Sequence, residues 1–184
     1  AEECCLLIDE MSSAIVSGSI RRCLTGDTAV QLKNESRKLQ DIKVGDLVLT
    51  PIGEKPVTNV FDQGWQSIYK ITTTSGVLKA SANHVFAAED EDDNLIWLKV
   101  SDFTILDKLF YYLSDLSHIS SPILSIEKLA PEQTFDIEVR DAHCFYANGC
   151  LSHNSAGQRQ FDADSPLLKM NLWQPDEEGN WKID

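Results

Sequence analysis

The sequence has few of the features that would direct a protein to a membrane, to nucleic acid or to an oxidising compartment. No apolar run approaches the roughly 20 residues that a transmembrane helix needs. Lysine and arginine number 16 against 29 acidic residues, and the formal net charge of −13 leaves little to neutralise phosphates. The five cysteines form no CxxC pair, which favours free thiols over a disulfide framework. We therefore expect a cytoplasmic protein that binds neither membranes nor nucleic acid.

The residues that are present divide the chain into three segments. Residues 1–22 carry apolar side chains near helical spacing, which predicts a short amphipathic helix. Residues 23–154 predict β structure, because short apolar runs alternate with turn signals. From residue 155 onward, acidic residues are interspersed with tryptophans and no alternation is sustained. A chain of 184 residues is long enough for one domain with tails, and the middle segment is the candidate domain.

Within the middle segment, strands and turns follow from the local pattern. The predicted strands are Thr28–Leu32, Leu47–Thr50, Val57–Phe61, Ile68–Thr74, Val77–Ala80 and Ile137–Val139. The predicted turns are Pro51-Ile52-Gly53, Ser75-Gly76 and Asn148-Gly149. The acidic run Glu89–Asp93 predicts a solvated hairpin tip rather than a cation site.

The sequence also contains one internal repeat. Residues 39–48 resemble residues 100–109, with aspartate at the third and eighth positions of both and apolar residues matched between them. Leu106 stands where the first copy has Gly45, so the turn there is less well defined. The repeat predicts a duplicated β unit with pseudo-twofold symmetry.

Two short segments carry residues suited to peptide-bond rearrangement. At the first, Cys23 precedes a glycine-containing turn, a pattern that alone is more typical of a buried structural thiol. At the second, His153, Asn154 and Ser155 follow one another. An asparagine side-chain amide can attack its own main-chain carbonyl and form a succinimide. That step needs a protonated leaving nitrogen and a polarised carbonyl, which histidine can provide, and the serine can accept an acyl group.

Four segments, in order, resemble the splicing motifs of inteins. They are Cys23–Leu32, Ser81-Ala82-Asn83-His84, Thr134–Phe145 and His153-Asn154-Ser155. The resemblance covers residues 23–154, and it implies the all-β horseshoe, with pseudo-twofold symmetry, that inteins share with hedgehog-type (HINT) domains.

At the upstream junction, the resemblance implies a thioester. Cys23 would attack the carbonyl of Arg22 and shift the acyl group from nitrogen to sulfur. His84 would protonate the departing nitrogen. Ser81, which stands where threonine is usual in the family, would support that geometry with its hydroxyl. Asp136 would coordinate the two junctions, by tuning the thiol or orienting the second nucleophile.

At the downstream junction, the resemblance implies transfer and release. Ser155 would take the acyl group as a branched ester, and Asn154 would then cyclise with help from His153 and His143. A spontaneous shift from oxygen to nitrogen would leave Arg22 joined to Ser155 by an amide. No step needs ATP, a metal or another cofactor, because amide bonds are exchanged between nucleophiles held at high effective molarity. The chain would act in cis, and we expect a monomer.

The flanks, residues 1–22 and 155–184, are interpreted as fragments of a host protein. Joined, they resemble the catalytic subunit of a ribonucleotide reductase, a resemblance that begins at residues 17–22 followed by 155–161. Residues 100–125 leave no room for a homing endonuclease, which favours a mini-intein.

Three other interpretations stay open from the residues. A hedgehog-like autoprocessing domain would hand its thioester to an external nucleophile. A cysteine hydrolase would use Cys23 with His84 over many turnovers, and an inert reductase fragment would do neither. Outside the motifs, Cys144 and Cys150 are expected to be strand residues near the junction, and His118 is expected at the surface.

Overall fold

The computed structural model describes residues 22–114, 117–154, 173–175 and 181–183. The part of the chain predicted to form the N-terminal helix lies outside these residues, as does Ser155. The described part contains no α-helix, and none of its helical segments is long and apolar enough to cross a membrane.

The all-β prediction is confirmed. In the described residues the strands are β1 Leu24–Thr25, β2 Ala29–Gln31, β3 Ser36–Lys38, β4 Leu47–Thr50, β5 Gly53–Thr73, β6 Val77–Ala80, β7 Val85–Glu89, β8 Leu95–Lys99, β9 Lys108–Ser114, β10 Ser117–Val139, β11 Cys144–Ala147, β12 Cys150–His153, β13 Trp173–Pro175 and β14 Trp181–Ile183. Their pairings are antiparallel.

Two long strands, β5 and β10, pair with each other over most of their length. They pair from Ile123 opposite Thr73 to Val139 opposite Val57. The predicted strands Val57–Phe61 and Ile68–Thr74 are therefore parts of one strand. The alternation of apolar and polar residues breaks between them at Gly64, which has a positive φ of 70°. The pairing register with β10 shifts at the same place, so the strand continues through a bulge.

The internal repeat is confirmed. Each copy begins with one turn of 3₁₀ helix, at Leu39–Asp41 and at Val100–Asp102. Further along, Asp46 and Asp107 each accept a hydrogen bond of 2.8 Å from the main-chain N–H three residues earlier. The carboxylate closes the same turn in both copies, which explains why the two aspartates recur at the same spacing.

The copies differ where Leu106 replaces Gly45. Gly45 has a φ of +93°, a conformation that L-residues rarely adopt. Leu106 is not among the described residues with positive φ, so its turn uses backbone angles that a leucine tolerates. The turn therefore persists in the second copy with a different backbone geometry.

The repeat also extends upstream of the matched sequence. The main-chain N–H of Thr28 donates to the carbonyl of Thr25, and that of His84 donates to the carbonyl of Ser81, both at 3.1 Å. The first residue of each 3₁₀ turn then continues the pattern. The N–H of Leu39 donates to the carbonyl of Thr28 at 2.8 Å, and the N–H of Val100 donates to the carbonyl of His84 at 2.9 Å. Thr28 and His84 thus occupy equivalent positions, a relation that the sequence comparison did not predict.

The prediction that His118 lies at the surface is wrong. Its side chain is fully buried. Its ring stacks on Phe110 with centroids 4.4 Å apart, and Nε2 lies 2.7 Å from the hydroxyl of Tyr146. The cause is its position as the second residue of β10, where strand alternation turns the side chain toward the core.

The acidic run is a hairpin tip, as predicted, but it is not solvated throughout. Residues 90–94 connect β7 to β8. Glu89 is buried at the end of β7, where it forms an ion pair of 3.0 Å with Lys108 and hydrogen-bonds the hydroxyl of Ser120. The predicted turn at Asn148-Gly149 is confirmed, with φ of +48° and +84°.

Candidate active site

Residues 23–154 begin next to strand β1 and end just after strand β12, and the turn at residues 81–84 contacts both ends, although the two strands do not pair with each other. Strand β1 begins directly after Cys23, and its Leu24 lies opposite both Phe135 of β10 and Ala80 of β6. Strand β12 ends at His153, one residue before Asn154. Because antiparallel register continues by one residue on each side, Cys23 lies opposite the residues that follow Phe135 and Ala80.

The turn after β6 holds the upstream junction. The N–H of Ser81 donates to the carbonyl of Cys23 at 2.9 Å, and the N–H of Cys23 donates to Ser81 Oγ at 3.1 Å. The second bond involves the nitrogen of the peptide bond between Arg22 and Cys23. Both side chains are buried, so the Cys23 end of this peptide is shielded from water and its N–H bond to Ser81 is strengthened.

Exchanging Ser81 for threonine should accelerate the upstream step. Threonine keeps the hydroxyl and adds the β-branch that restricts χ1, so the acceptor for the Cys23 N–H would be better fixed. We expect a modest gain, about twofold to threefold, in the rate of thioester formation, measured as release of residues 1–22 by added thiol. A Ser81→Thr chain that reacts more slowly than the parent would contradict this account.

His84 occupies the last position of the same turn and is fully buried. Its Nε2 lies 2.6 Å from Ser152 Oγ, while its Nδ1 has no hydrogen-bond partner within the described part of the chain. Burial, with smaller contributions from Arg22 and His153, lowers the pKa of His84 from 6.5 to about 3. The ring is therefore neutral at physiological pH and can accept a proton.

Asp136 is buried on β10, beside the same junction. Its Oδ1 accepts the N–H of Ile137 at 2.8 Å. Burial lowers the pKa of the Arg22 guanidinium, and attraction to the Asp136 carboxylate partly opposes that decrease. Asp136 therefore lies within electrostatic reach of the last residue of the upstream flank.

Asn154, at the downstream junction, is also fully buried. With its amide oriented so that both ends are satisfied, Nδ2 donates to the carbonyl of His143 at 3.0 Å and Oδ1 accepts the N–H of Val139 at 2.8 Å. The main-chain N–H of Asn154 donates to the same His143 carbonyl at 3.0 Å. The side chain is thus fixed from both sides before any reaction.

His153 contacts the carbonyl that an asparagine cyclisation would attack. Its Nδ1 lies 2.7 Å from the main-chain oxygen of Asn154, and its ring packs edge-on against Trp97 with centroids 5.0 Å apart. Burial, opposed by the Asn154 hydrogen bond and assisted by Arg22 and His143, lowers the pKa of His153 from 6.5 to about 4. A neutral ring that donates from Nδ1 polarises this carbonyl.

His143 takes a different position from His153. Its side chain is exposed, and the hydrogen bonds that reach Asn154 come from its main-chain carbonyl. The backbone of His143 has a φ of +52°, an uncommon conformation for a histidine. This geometry turns the carbonyl toward the junction.

Burial of His84 and partial burial of His153 should make the fold acid-sensitive. Their pKa values are lower in the folded state than the usual 6.5, so the unfolded chain binds more protons below that pH. Stability is therefore lost as the pH falls from about 6.5 toward 4, by about 2 kcal/mol for each ring at pH 5. Thermal unfolding of an unreactive Cys23→Ala, Asn154→Ala chain at pH 7 and pH 5 measures this loss.

A third variant in the same background assigns the effect. Adding His84→Asn should remove about half of the acid-induced loss, because one of the two shifted groups is gone. Equal stability of the unreactive chain at pH 5 and pH 7 would contradict the lowered pKa values of the two rings.

One residue at the junction was missed by the sequence analysis. Ser152 is fully buried and hydrogen-bonded to His84. The available signal was a polar residue that follows the apolar pair Cys150-Leu151 and lies two residues before Asn154. Cys144 and Cys150 open β11 and β12 and are buried, so their assignment to strands is confirmed. The described residues contain no group of three or more acidic, histidine or cysteine side chains that could hold a metal.

Solved structures with this fold identify the relatives of the chain. It is 32% identical to the gp41-1 intein, with a TM-score of 0.63, over 73% of this chain and 99% of that one. It is 28% identical to the DnaX mini intein from Spirulina platensis, with a TM-score of 0.59, over 72% and 99% of the two chains. A DnaB intein from Synechocystis sp. PCC 6803 shares the fold at 23% identity and a TM-score of 0.63, over 73% and 99%. No family profile and no curated protein sequence matches the chain.

Proposed function

The chain belongs to the intein family, and we propose that residues 23–154 excise themselves and join Arg22 to Ser155. The observation that carries this proposal is the arrangement of both junctions around one set of buried side chains. Cys23 is hydrogen-bonded to Ser81, and Asn154 is hydrogen-bonded to His153 and to the main chain of His143. Inteins act in cis on their own chain, and self-processing of this kind is a single turnover.

The first step is an acyl shift at the upstream junction. The sulfur of Cys23 attacks the carbonyl carbon of Arg22, and the bond from that carbon to the Cys23 nitrogen breaks. The nitrogen needs a proton, and neutral His84, in the same turn that binds the Cys23 N–H, takes this proton from the Cys23 thiol and passes it on. A thioester is less stable than an amide, so the fold must distort or polarise this peptide for the shift to proceed.

The second step transfers the acyl group to the downstream flank. The hydroxyl of Ser155 attacks the thioester and gives a branched ester, with Cys23 released as a thiol. Asp136 lies near Arg22, and its carboxylate is the group suited to receive the hydroxyl proton. This role would give the buried carboxylate beside the upstream junction a function in the second step.

The third step releases the excised domain. Asn154 Nδ2 attacks the Asn154 main-chain carbonyl carbon, a succinimide forms, and the bond to Ser155 breaks as the proton that Nδ2 loses passes to the Ser155 nitrogen. His153 stabilises the developing negative charge on the carbonyl oxygen through the 2.7 Å contact with Nδ1. The His143 carbonyl accepts from Nδ2 and increases its nucleophilicity. The ester then rearranges to an amide without further catalysis.

Chemical trapping tests this sequence of intermediates. The purified chain should release residues 1–22 when a thiol is added, because a thioester exchanges with thiols, and hydroxylamine should cleave the thioester and the branched ester alike. A cysteine hydrolase would cleave added peptides repeatedly, and a hedgehog-like domain would transfer the upstream flank without ligating the downstream one. Absence of any cleavage by thiol or hydroxylamine would contradict the proposal.

The host is the second part of the proposal. The flanks, residues 1–22 and 155–184, carry the resemblance to a ribonucleotide reductase catalytic subunit on sequence alone. Splicing would then be required for reductase activity, since the domain interrupts the host chain. Sequencing the complete gene tests this, because coding sequence beyond both flanks should continue as a reductase.

We also propose that this intein is a minimal one. Residues 100–125 form a 3₁₀ turn, β9 and the start of β10, apart from residues 115 and 116, which lie outside the described part. A homing endonuclease needs a far longer insertion. Assays with DNA carrying the uninterrupted host site should therefore show no cleavage.

A further inference from the structure

A serine hydroxyl on the downstream strand contacts the upstream histidine. Ser152 Oγ lies 2.6 Å from His84 Nε2, and both side chains are fully buried. Ser152 is two residues before Asn154, and it is joined to the His84 region by the pairing of β12 with β7. The sequence motifs assign no role to this residue.

The contact decides which ring nitrogen of His84 can react. Nε2 is engaged by Ser152, and the ring packs against Phe86 with centroids 4.8 Å apart. Nδ1 is the polar atom that remains, with no hydrogen-bond partner in the described part of the chain. His84 also shares its turn with Ser81, which binds the Cys23 N–H.

We propose that Ser152 is a positioning residue for the upstream step: its Oγ accepts the Nε2–H of His84 and holds the ring in the tautomer with a lone pair on Nδ1. This inference rests on the proposed splicing function. In that tautomer, Nδ1 takes the proton of the Cys23 thiol while the sulfur attacks the Arg22 carbonyl. The same nitrogen then gives this proton to the departing Cys23 nitrogen. The proton moves from sulfur to nitrogen, and the imidazole is regenerated.

The imidazolium that forms between these two transfers explains the need for an acceptor. It carries hydrogen on both ring nitrogens and can only donate. Its burial disfavours the charge, as the pKa of His84, lowered to about 3, also indicates. Ser152 Oγ provides the acceptor that stabilises this short-lived cation; an alanine there would leave the Nε2–H unpaired in a buried site.

Rates of thiol-induced cleavage test the proposal. In an Asn154→Ala chain, which confines the chemistry to the upstream junction, Ser152→Ala should slow the release of residues 1–22 about tenfold. Ser152→Thr, which keeps the hydroxyl, should stay within about threefold of the parent. The matched control is Ser121→Ala, since Ser121 is a buried serine whose hydroxyl hydrogen-bonds Ser75 away from the junctions, and it should leave the rate unchanged. A Ser152→Ala chain as fast as the parent, or a threonine variant as slow as alanine, would overturn the proposal.

A second measurement does not depend on cleavage. In the full chain with Cys23→Ala and Asn154→Ala, neither junction reacts, and the ¹⁵N shifts of the His84 ring report its tautomer; the loss of these signals in His84→Gln assigns them. We expect hydrogen on Nε2 and a lone pair on Nδ1. Hydrogen on Nδ1, with Ser152 as the donor, would overturn the assignment even if splicing itself is confirmed. Failure of the parent chain to react with thiol would instead count against the splicing function and leave the tautomer result to decide the role of Ser152.

Discussion

Replacing Asn154 with alanine should reduce release of the downstream flank to an undetectable level while the upstream junction still reacts. The substitution removes the Nδ2 atom that attacks the main-chain carbonyl, and no neighbouring side chain can form the same five-membered ring. The upstream hydrogen bond from Cys23 to Ser81 and the contact of His84 with Ser152 do not involve this side chain. Added thiol should therefore still release residues 1–22, as seen by mass spectrometry.

The matched control for this experiment is Asn59→Ala. Asn59 is an exposed asparagine on β5, and its loss should leave both cleavages unchanged. Release of the downstream flank from the Asn154→Ala chain at the parental rate would show that another group breaks the bond to Ser155. A loss of thiol-induced cleavage in the same chain would show that the two junctions are not chemically separable.

Replacing His84 with alanine is expected to slow the upstream acyl shift by about 10²–10⁴-fold, the usual contribution of a positioned acid–base group. His84 is fully buried, and Nδ1 is its one unengaged polar atom in the described part of the chain. Without the ring, water cannot easily bring a proton to the Cys23 nitrogen. The measurement is again the release of residues 1–22 by thiol, in the Asn154→Ala background.

Loss of a buried histidine could also act through stability, and His118→Phe separates the two effects. His118 is equally buried, stacks on Phe110 and hydrogen-bonds Tyr146, away from both junctions. Its replacement should lower the unfolding temperature, because the Tyr146 hydroxyl loses its partner, while the cleavage rate stays parental. A His118→Phe chain that cleaves as slowly as His84→Ala would mean that the rate follows stability instead of proton transfer.

Much of the fold was predictable because the relevant signals are local. Alternation and turn residues predict β2, β4, β6 and parts of β5 and β10, and the spacing of two aspartates identifies the repeat, since Asp46 and Asp107 close the same turn. The continuity of β5 was not predictable. The pattern breaks at Gly64, and only the pairing with β10 shows that the strand continues through a bulge.

The same distinction applies to the candidate site. Cys23, His84 and Asn154 could be predicted because their chemistry depends on residue type and order along the chain. Ser152 could not, because the role we propose for it depends on a contact with His84 across 68 residues of sequence. The contribution of the His143 main chain was equally hidden, since a carbonyl position depends on backbone conformation and not on the side chain.

His118 shows the opposite limitation. A histidine that matches no motif and lies between serine and isoleucine gives no local sign of burial. Its environment consists of Phe110 on the paired strand and Tyr146 on a strand 28 residues away. Non-local packing of this kind determines whether a polar residue is buried, and no periodicity in the sequence records it.

Intact-mass analysis of the purified full chain after incubation under reducing conditions tests the central claim most directly. Splicing predicts two products: residues 1–22 joined by an amide to residues 155–184, and residues 23–154 with a C-terminal succinimide, one water lighter than the same fragment with a free asparagine. Fragmentation of the first product should read Arg22 followed directly by Ser155. An unaltered chain, or flanks released without being joined, would contradict self-excision with ligation.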